Sequence, residues 1–338
     1  MSAMRPTVKI ALIVVAVVTA LAVVSCSGSV SAPRKPQAPS LPGIATSRHV
    51  PAIPPSGAYF GARVNPPGNF SPADQVTALY QLQQQLGRRL DIVHTYLTWL
   101  GTFPSPADAA ALAQGSLLLL SWTGTDSRPV ASGVYDRLIR ERAREIKATG
   151  KPIFLEWRWE MNRPNLSSVV GAPADFIAAW KHVRAIFDQE HVNNVSWVWC
   201  PTANGFEPGG NAAAYYPGDG EVDWICADAY PGIGPYRSFS NTVQPFLSWA
   251  SHHRKPVMIG EYGVPQRYLP QQRAQWLRAA AQTVRGDPQV KALVYFDVDP
   301  LSEPAGGFAL DPGSAALHAF RAIASSRYFN PPAAPVRG

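Results

Sequence analysis

KPIFLEWRWEMN, at residues 151–162, contains the pattern that decides the fold. A short apolar run, 152–157, follows a helical pattern that ends at Gly150, and an exit rich in polar and aromatic residues comes next. An apolar run of this length without polar alternation is typical of a strand that is buried on both faces. The exit runs from Arg158 through Glu160 and predicts a functional loop at the carboxyl end of that strand.

The same alternation of strand and helix continues in both directions along the chain. Proline or glycine marks several helix boundaries, as at Pro72, Pro173 and Gly286. Eight such units predict an α/β protein with a single (β/α)8 TIM barrel. The predicted strands are 58–64, 90–96, 117–122, 152–157, 195–200, 223–227, 256–261 and 292–297. The predicted helices are 72–86, 106–112, 134–148, 173–190, 242–252, 271–285 and 313–323, whereas segment 201–220 has no helical period.

A doubly wound parallel sheet is the alternative architecture for such an alternation. A sheet of that kind binds its ligand near a glycine-rich first turn. The sequence has no G-x-G-x-x-G or Walker motif after any predicted strand, so the pattern favours the barrel.

The first residues of the chain read as a targeting signal. Arg5 and Lys9 precede an apolar run, 10–24, which has the length of a signal-peptide core and then reaches Cys26 in a sequence that resembles a bacterial lipobox. We therefore expect residues 1–26 to be a lipoprotein signal peptide, with an ordinary secretory peptide as the alternative. The protein is then extracytoplasmic, anchored to the cell membrane through a lipid on Cys26 or secreted.

Composition divides the rest of the chain into three parts. Residues 27–57 are rich in proline, serine and alanine and lack an apolar period, which predicts a disordered tether. Residues 58–329 are predicted to form the barrel domain, and residues 330–338 a proline-rich tail.

Charge and cysteine content limit the partners. The chain has 30 Lys and Arg against 23 Asp and Glu, and removal of Arg5 and Lys9 with the signal leaves 28 against 23. This excess of five scattered charges does not indicate a nucleic-acid partner. Cys200 and Cys226 lie near the ends of consecutive predicted strands, and the sequence leaves open whether they form a disulfide. With no zinc-type spacing or H-E-x-x-H motif, we expect neither a metal nor a cofactor, and we expect a monomer.

Two glutamates are the strongest candidates for catalysis. Glu160 lies just after the fourth predicted strand and Glu261 ends the seventh, and in a barrel both would project toward one axis at the carboxyl ends. Cleavage of a glycosidic bond needs such a pair, one carboxyl as the acid and one as the anion that meets the developing positive charge. The alternative for either glutamate is a structural ion pair.

Several sequence motifs, in this order, resemble those of glycoside hydrolase family 26. They are RWEMN (158–162), WVWCP (197–201), YYPGD (215–219) leading to VDW (222–224), DAY (228–230) and KPVMIGEYG (255–263). The resemblance implies a retaining β-glycanase related to β-mannanases, with Glu160 as acid/base, Glu261 as nucleophile and Tyr230 hydrogen-bonded to the nucleophile. Where family members usually carry His, Gly and Arg, this chain has Trp159, Arg163 and Glu156. The sugar and the linkage therefore stay open.

Several further side chains are predicted to contact an oligosaccharide or polysaccharide. Aromatic faces stack on pyranose rings and polar groups bind sugar hydroxyls, so residues at strand ends are the natural candidates. For the aromatic residues the alternative is barrel core, which we favour for Trp224; for the polar residues it is a satisfied position on the rim. The candidates are Trp122, Trp159, Trp199, Arg158, Asn162, His94 and Asp297.

These observations predict an endo-acting, retaining glycoside hydrolase on a mannan-like or related envelope or extracellular glycan. A non-catalytic glycan-binding lipoprotein is the first alternative, motivated by the altered neighbours of Glu160. A two-lobed solute receptor is the second, and a single barrel disfavours it. Serine chemistry is disfavoured because the sequence has no G-x-S-x-G turn.

Overall fold

The computed structural model describes residues 50–65, 71–298 and 307–332, and these residues contain a closed barrel of eight parallel strands in sequence order. Each strand pairs with the next, and β8 pairs with β1, from Tyr59 opposite Ala292 to Val64 opposite Asp297. The prediction of a single (β/α)8 TIM barrel is confirmed. The strands are β1 (Tyr59–Val64), β2 (Ile92–Leu97), β3 (Leu117–Trp122), β4 (Ile153–Trp157), β5 (Val195–Trp199), β6 (Trp224–Ala229), β7 (Val257–Tyr262) and β8 (Val290–Asp297).

Nine α-helices cover the outside of the barrel among the described residues. Their starts carry the expected chemistry: Ser71 caps the first helix in a capping box with Asp74, and that helix ends at Gly87, which has a φ of 72°. The helices are α1 (Pro72–Leu86), α2 (Pro106–Ala113), α3 (Ser127–Ala131), α4 (Asp136–Ala148), α5 (Ser167–Val170), α6 (Pro173–Gln189), α7 (Phe239–Ala250), α8 (Pro270–Gly286) and α9 (Ala315–Ala324).

The connection between β5 and β6 contains three short 3-10 helices, Ala203–Phe206, Ala212–Tyr215 and Asp219–Glu221, and no α-helix. The sequence of segment 201–220 has no helical period, which predicted that this connection lacks an α-helix. A loop that carries no long helix is free to fold over the carboxyl ends of the strands, where barrel enzymes build their sites.

The apolar side chains form two layers because successive residues of a strand point to opposite faces. A large cluster fills the space between strands and helices and includes Trp122, Trp157 and Trp199. A smaller cluster fills the barrel interior and includes Phe154 and Trp224. The core position favoured for Trp224 is therefore correct.

Residues 50–57, which the sequence assigned to the tether, partly pack on the barrel. Pro51 and Pro54 are buried, and the Tyr59 hydroxyl donates to the Ala52 carbonyl at 2.8 Å. Near the other end of the described chain, the Asn330 amide donates to the Ala324 carbonyl at 2.7 Å. Within the described residues, the contacts of the barrel therefore include part of segment 50–57 at one end and Asn330 at the other.

The predicted signal peptide, Cys26 and most of the tether and tail lie outside the described residues. Within the described part of the chain, no helix has the length and apolar character needed to cross a membrane.

Candidate active site

A cleft of about 450 Å³ opens at the carboxyl ends of the strands. Glu160, Glu261, Tyr230 and Trp159, all predicted site residues, line it. The other lining residues are Tyr96, Arg163, Thr202, Asn204, Asp228, Gly232, Phe296 and Phe308. The two glutamates, which are 101 positions apart in sequence (261 minus 160), therefore face one space.

Glu261 lies on β7 at the floor of the cleft and is 5% exposed. The Tyr230 hydroxyl donates to Glu261 Oε2 at 2.6 Å, and the Tyr96 hydroxyl donates to Oε1. The Arg63 guanidinium lies 4.8 Å from the centre of the Tyr96 ring. Each carboxylate oxygen of Glu261 thus has a hydroxyl donor.

Opposing effects set the pKa of Glu261. Burial is the largest, and together with the charge of Glu160 it raises the pKa to about 7. The hydroxyls of Tyr230 and Tyr96 and the charge of Arg63 act in the other direction. Glu261 therefore changes its charge near neutral pH.

Glu160 stands on a backbone in the left-handed region. Its φ is 51° and that of Arg158 is 56°, values that non-glycine residues adopt rarely and at a cost of about 1–3 kcal/mol each. Neighbouring strands hold the segment, because Arg158 N donates to Trp122 O at 3.0 Å and Glu160 N donates to Cys200 O at 2.7 Å. The strained turn aims the Glu160 carboxyl into the cleft, where Arg163 Nη1 donates to its Oε2 at 2.6 Å.

A buried polar layer lies directly below the cleft. Ser121 Oγ donates to Glu156 Oε2 and lies 2.7 Å from His94 Nε2, and His94 Nδ1 lies 4.0 Å from Glu261 Oε1. Burial raises the pKa of Glu156 to about 8, and burial followed by the charge of Arg63 lowers the pKa of His94 well below its ordinary value. Glu156 and His94 are therefore mostly uncharged at neutral pH.

A disulfide joins Cys200 and Cys226 inside the barrel, which answers the question that the sequence left open. Asp228 Oδ1 lies 3.3 Å from Cys200 Sγ, and burial raises the pKa of Asp228 well above its ordinary value. Gly260 is required beside this bond, because a Cβ at that position would lie 2.5 Å from Cys226 Sγ. Glu156 and the two cysteines come close enough to hold a metal, but disulfide-bonded sulfurs offer no thiolate ligand.

The structure corrects the predicted positions of two tryptophans. Trp122 and Trp199 are fully buried between the strands and the helices and do not line the cleft. The Trp199 indole donates to the Tyr215 carbonyl at 3.1 Å, and Trp122 stacks on Trp99 with ring centres 4.5 Å apart. Both residues lie on the outward face of their strands, so their position at a strand end does not bring them to the site.

Four polar candidates also lie away from the wall of the cleft. Arg158 is buried and donates to the Gly124 carbonyl at 3.3 Å, and His94 lies in the layer below the cleft. The backbone N–H of Leu310 donates to Asp297 at 2.8 Å. The fourth is Asn162.

The nitrogen and the oxygen of the Asn162 side-chain amide both form hydrogen bonds with Thr202. Its Nδ2 donates to Thr202 Oγ1 at 2.7 Å, and its Oδ1 accepts from Thr202 N at 2.9 Å. Because Thr202 lines the cleft, Asn162 supports the wall of the cleft from behind and is not itself a lining residue.

Sequence reasoning missed Tyr96, Phe296, Phe308, Thr202 and Asn204. The signal for Tyr96 was available, because it lies two residues after His94 and so shares the inward face of β2. Phe296 follows the same rule on β8. The other three lie in loops, where no period indicates direction.

Comparison with known proteins gives matches in sequence and in structure. No protein-family model matches the chain. Endoglucanase H of Acetivibrio thermocellus is 29% identical over 238 residues, which is 65% of this chain and 26% of that protein. Beta-1,3-xylanase TXYA of a Vibrio species is 29% identical over 145 residues, 41% of this chain and 29% of that protein. The chain thus spans between a quarter and a third of the length of these curated relatives.

Solved structures of family 26 mannanases superpose on the barrel. The modular endo-beta-1,4-mannanase of Cellulomonas fimi has a TM-score of 0.60 at 17% identity and covers 80% of this chain and 71% of its own. The catalytic domain of the mannanase from Bacillus sp. JAMB-750 has a TM-score of 0.62 at 16% identity, with coverage of 82% and 88%. The resemblance predicted from the motifs is thus confirmed in the fold: the chain has the (β/α)8 architecture of glycoside hydrolase family 26 catalytic domains.

Proposed function

We propose that this chain is a retaining glycoside hydrolase that cleaves a β-linked polysaccharide internally. The observation that carries the proposal is the pair of carboxyls, Glu160 and Glu261, which line one cleft at the mouth of the barrel. The names of the similar proteins, an endoglucanase, a beta-1,3-xylanase and endo-beta-1,4-mannanases, support endo action on a β-linked glycan. They differ in sugar, so the substrate is proposed only as a class.

In the first step, the Glu261 carboxylate attacks the anomeric carbon of the bound sugar. The bond to the glycosidic oxygen breaks, and the protonated Glu160 gives its proton to that oxygen, which leaves as the hydroxyl of the departing sugar. The Tyr230 hydroxyl donates to Glu261 Oε2 and the Tyr96 hydroxyl donates to Oε1, and these two hydrogen bonds orient the nucleophile.

In the second step, a water molecule enters the space that the departing sugar has left. Glu160, now a carboxylate, accepts a proton from this water as the water oxygen bonds to the anomeric carbon. The ester to Glu261 breaks, and both carboxyls return to their starting state with the sugar configuration retained.

The walls of the cleft suit a sugar chain. Trp159, Phe296 and Phe308 offer aromatic faces to the apolar faces of pyranose rings, and Thr202 and Asn204 offer polar groups to hydroxyls. We assign these five residues to substrate binding, in place of the buried Trp122 and Trp199.

The test is a screen of mannan, mixed-linkage glucan, xylan and envelope glycans with product analysis by mass spectrometry. On a responsive glycan, Glu261→Ala and Glu160→Gln should each remove most turnover, whereas Glu141→Gln, a surface control on α4, should not. Tight oligosaccharide binding without product in the wild type would instead support the non-catalytic glycan-binding alternative.

We also propose, from the sequence, that the mature protein is attached to the outer face of the cell membrane through a lipid on Cys26. The basic residues Arg5 and Lys9, the apolar run 10–24 and the small residues before Cys26 support this proposal. The tether would then carry the barrel away from the membrane surface.

A further inference from the structure

Arg163 is the cationic side chain among the residues that line the cleft. Its side chain is 49% exposed, and its guanidinium donates to Glu160 Oε2 at 2.6 Å. The Arg163 backbone N–H also donates to the Glu160 carbonyl at 3.0 Å, so both residues belong to one tight turn. The guanidinium is therefore held within reach of the carboxyl that we assign as the acid/base.

The ion pair competes with the proposed chemistry. Glu160 must carry a proton and face the glycosidic oxygen before cleavage, whereas a guanidinium at its Oε2 stabilises the ionised form. Substrate binding therefore has to draw Arg163 away from Glu160 or provide it with another partner. Because the two residues share a turn, Arg163 still lies beside the bond to be cleaved after it moves.

The chemistry of the guanidinium indicates which partner replaces Glu160. A sugar hydroxyl accepts only a neutral hydrogen bond, whereas a carboxylate matches the planar fork of Arg and restores a charge-assisted, bidentate pair. With a substrate carboxylate, Arg163 would thus exchange its ion pair with Glu160 for an ion pair with the substrate. A neutral substrate would lose the ion pair without an equal replacement.

A second guanidinium lies at the rim of the same cleft. Arg267 is exposed and donates to the carbonyl of Gly232, a lining residue. The lining carboxyls of Glu160, Glu261 and Asp228 are only 8%, 5% and 2% exposed, whereas the side chain of Arg163 is 49% exposed. Among the described residues that line the cleft, Arg163 therefore presents the more accessible charge.

We infer that Arg163 is a specificity-determining residue and that the preferred substrate carries a carboxylate, as in a uronic acid, on a sugar next to the bond that is cleaved. This inference rests on the proposed function, since it assigns a substrate class to the same site. Binding of the substrate carboxylate to Arg163 releases Glu160 for its role as acid.

The test compares oligosaccharides that differ only in oxidation at C6. Mannohexaose is paired with the β-1,4-mannuronan hexasaccharide, and cellohexaose with the β-1,4-glucuronan hexasaccharide. Calorimetric titration uses Glu261→Gln as the background so that nothing is cleaved. We expect the acidic member of at least one pair to bind about tenfold more tightly at low salt, with a smaller preference at high salt.

Arg163→Ala in the same background should remove the preference for the acidic member of the pair. Arg163→Lys should keep part of the preference for the acidic member, because Lys retains the positive charge but lacks the planar, bidentate guanidinium. Arg137→Ala is the matched control, since Arg137 also pairs with a glutamate, Glu141, at 2.9 Å, but on the outer surface of α4.

Equal or weaker binding of the acidic member in both pairs would overturn the inference, and so would an acidic preference that persists in Arg163→Ala. Neither result touches the proposed hydrolase function, which the glycan screen with the glutamate variants decides separately. Cleavage of neutral glycans by the wild type with no acidic preference would retain the function and reject the substrate class.

Discussion

Glu261 is buried like a core residue, yet each of its oxygens accepts a hydrogen bond from a tyrosine hydroxyl. Burial and the charge of Glu160 raise its pKa to about 7, and the donors oppose that shift. The proposed nucleophile attacks only as a carboxylate. Its environment therefore predicts a rate that depends on pH near neutrality.

The wild type should lose kcat/KM as pH falls through about 7, because protonation of Glu261 removes the nucleophile. Tyr230→Phe removes a donor that stabilises the carboxylate, so the acidic limb should move to higher pH and the rate at pH 6 should fall by roughly tenfold or more. The measurement is kcat/KM against pH on a responsive glycan. Tyr80→Phe, at a partly exposed position on α1, is the control, and a limb that stays in place in Tyr230→Phe would refute this role of the hydroxyl.

Glu156 should make stability depend on pH in the opposite sense to an ordinary carboxylate. Its pKa is about 8 in the folded chain against an ordinary 4.5, so the folded state holds a proton that the unfolded state loses between these values. Stability therefore falls as pH rises through this window. Glu156→Gln lacks this effect, so its free energy of unfolding relative to wild type should increase by on the order of 3 kcal/mol between pH 5 and pH 8.5.

Urea unfolding of both proteins at the two pH values measures this difference. The far-UV circular dichroism spectrum at the lower pH checks that the variant keeps its fold. A stability difference that is constant with pH would show that Glu156 is not held protonated in the native state.

At the scale of elements, the barrel and its eight strands were predictable because each strand is a short apolar run between helical periods. The direction of side chains was predictable only within the strands. Trp197 and Trp199 share the outward face of β5, and Val198 and Cys200 share the inward face, as an alternation of two requires. Its position at a strand end therefore predicted wrongly that Trp199 lines the cleft. The alternation of side chains along β2 would have identified Tyr96 as a lining residue.

The turn after β4 was not predictable in the same way. Arg158 continues the inward alternation of Phe154 and Glu156, yet its left-handed backbone turns its side chain toward Gly124. Nothing in the side chains of Arg158 or Glu160 favours a positive φ. Contacts with the neighbouring strands impose it, and such contacts exist only in the folded barrel.

The disulfide between Cys200 and Cys226 ties the end of β5 to β6 below the cleft. It closes a loop of 26 residues, so the chain-entropy model gives it about 3 kcal/mol of stabilisation. The double variant Cys200→Ala/Cys226→Ala should lower the urea midpoint accordingly. Wild-type protein whose disulfide has been reduced should have the same lowered urea midpoint as the variant. An unchanged midpoint in both proteins would show that the disulfide adds no stability.

At the scale of the whole molecule, the two ends of the barrel meet. β1 pairs with β8, and Ala58 N donates to Tyr328 O at 3.1 Å. The segment that precedes β1 packs on the same body through Pro51 and Pro54. Any tether from Cys26 to the barrel therefore ends before residue 50. Its length is at most about 23 residues (49 minus 26).

The proposed lipid anchor predicts how the full chain distributes between membrane and soluble fractions. In a bacterial host that processes lipoproteins, the wild type should sediment with membranes and partition into detergent. Cys26→Ala should move it to the soluble fraction or leave it unprocessed, and Ser27→Ala is the neighbouring control. A Cys26→Ala protein that is processed normally and still behaves as a lipoprotein would contradict the anchor.

Azide rescue with an activated aryl β-glycoside of the responsive sugar tests whether Glu160 and Glu261 divide the two roles of a retaining hydrolysis. With azide, Glu160→Ala should yield the β-glycosyl azide, because azide attacks the covalent intermediate that Glu261 forms. Glu261→Ala should yield the α-glycosyl azide, because azide takes the place of the missing nucleophile. Turnover at the wild-type rate in both variants, or the opposite anomers, would contradict the assignment.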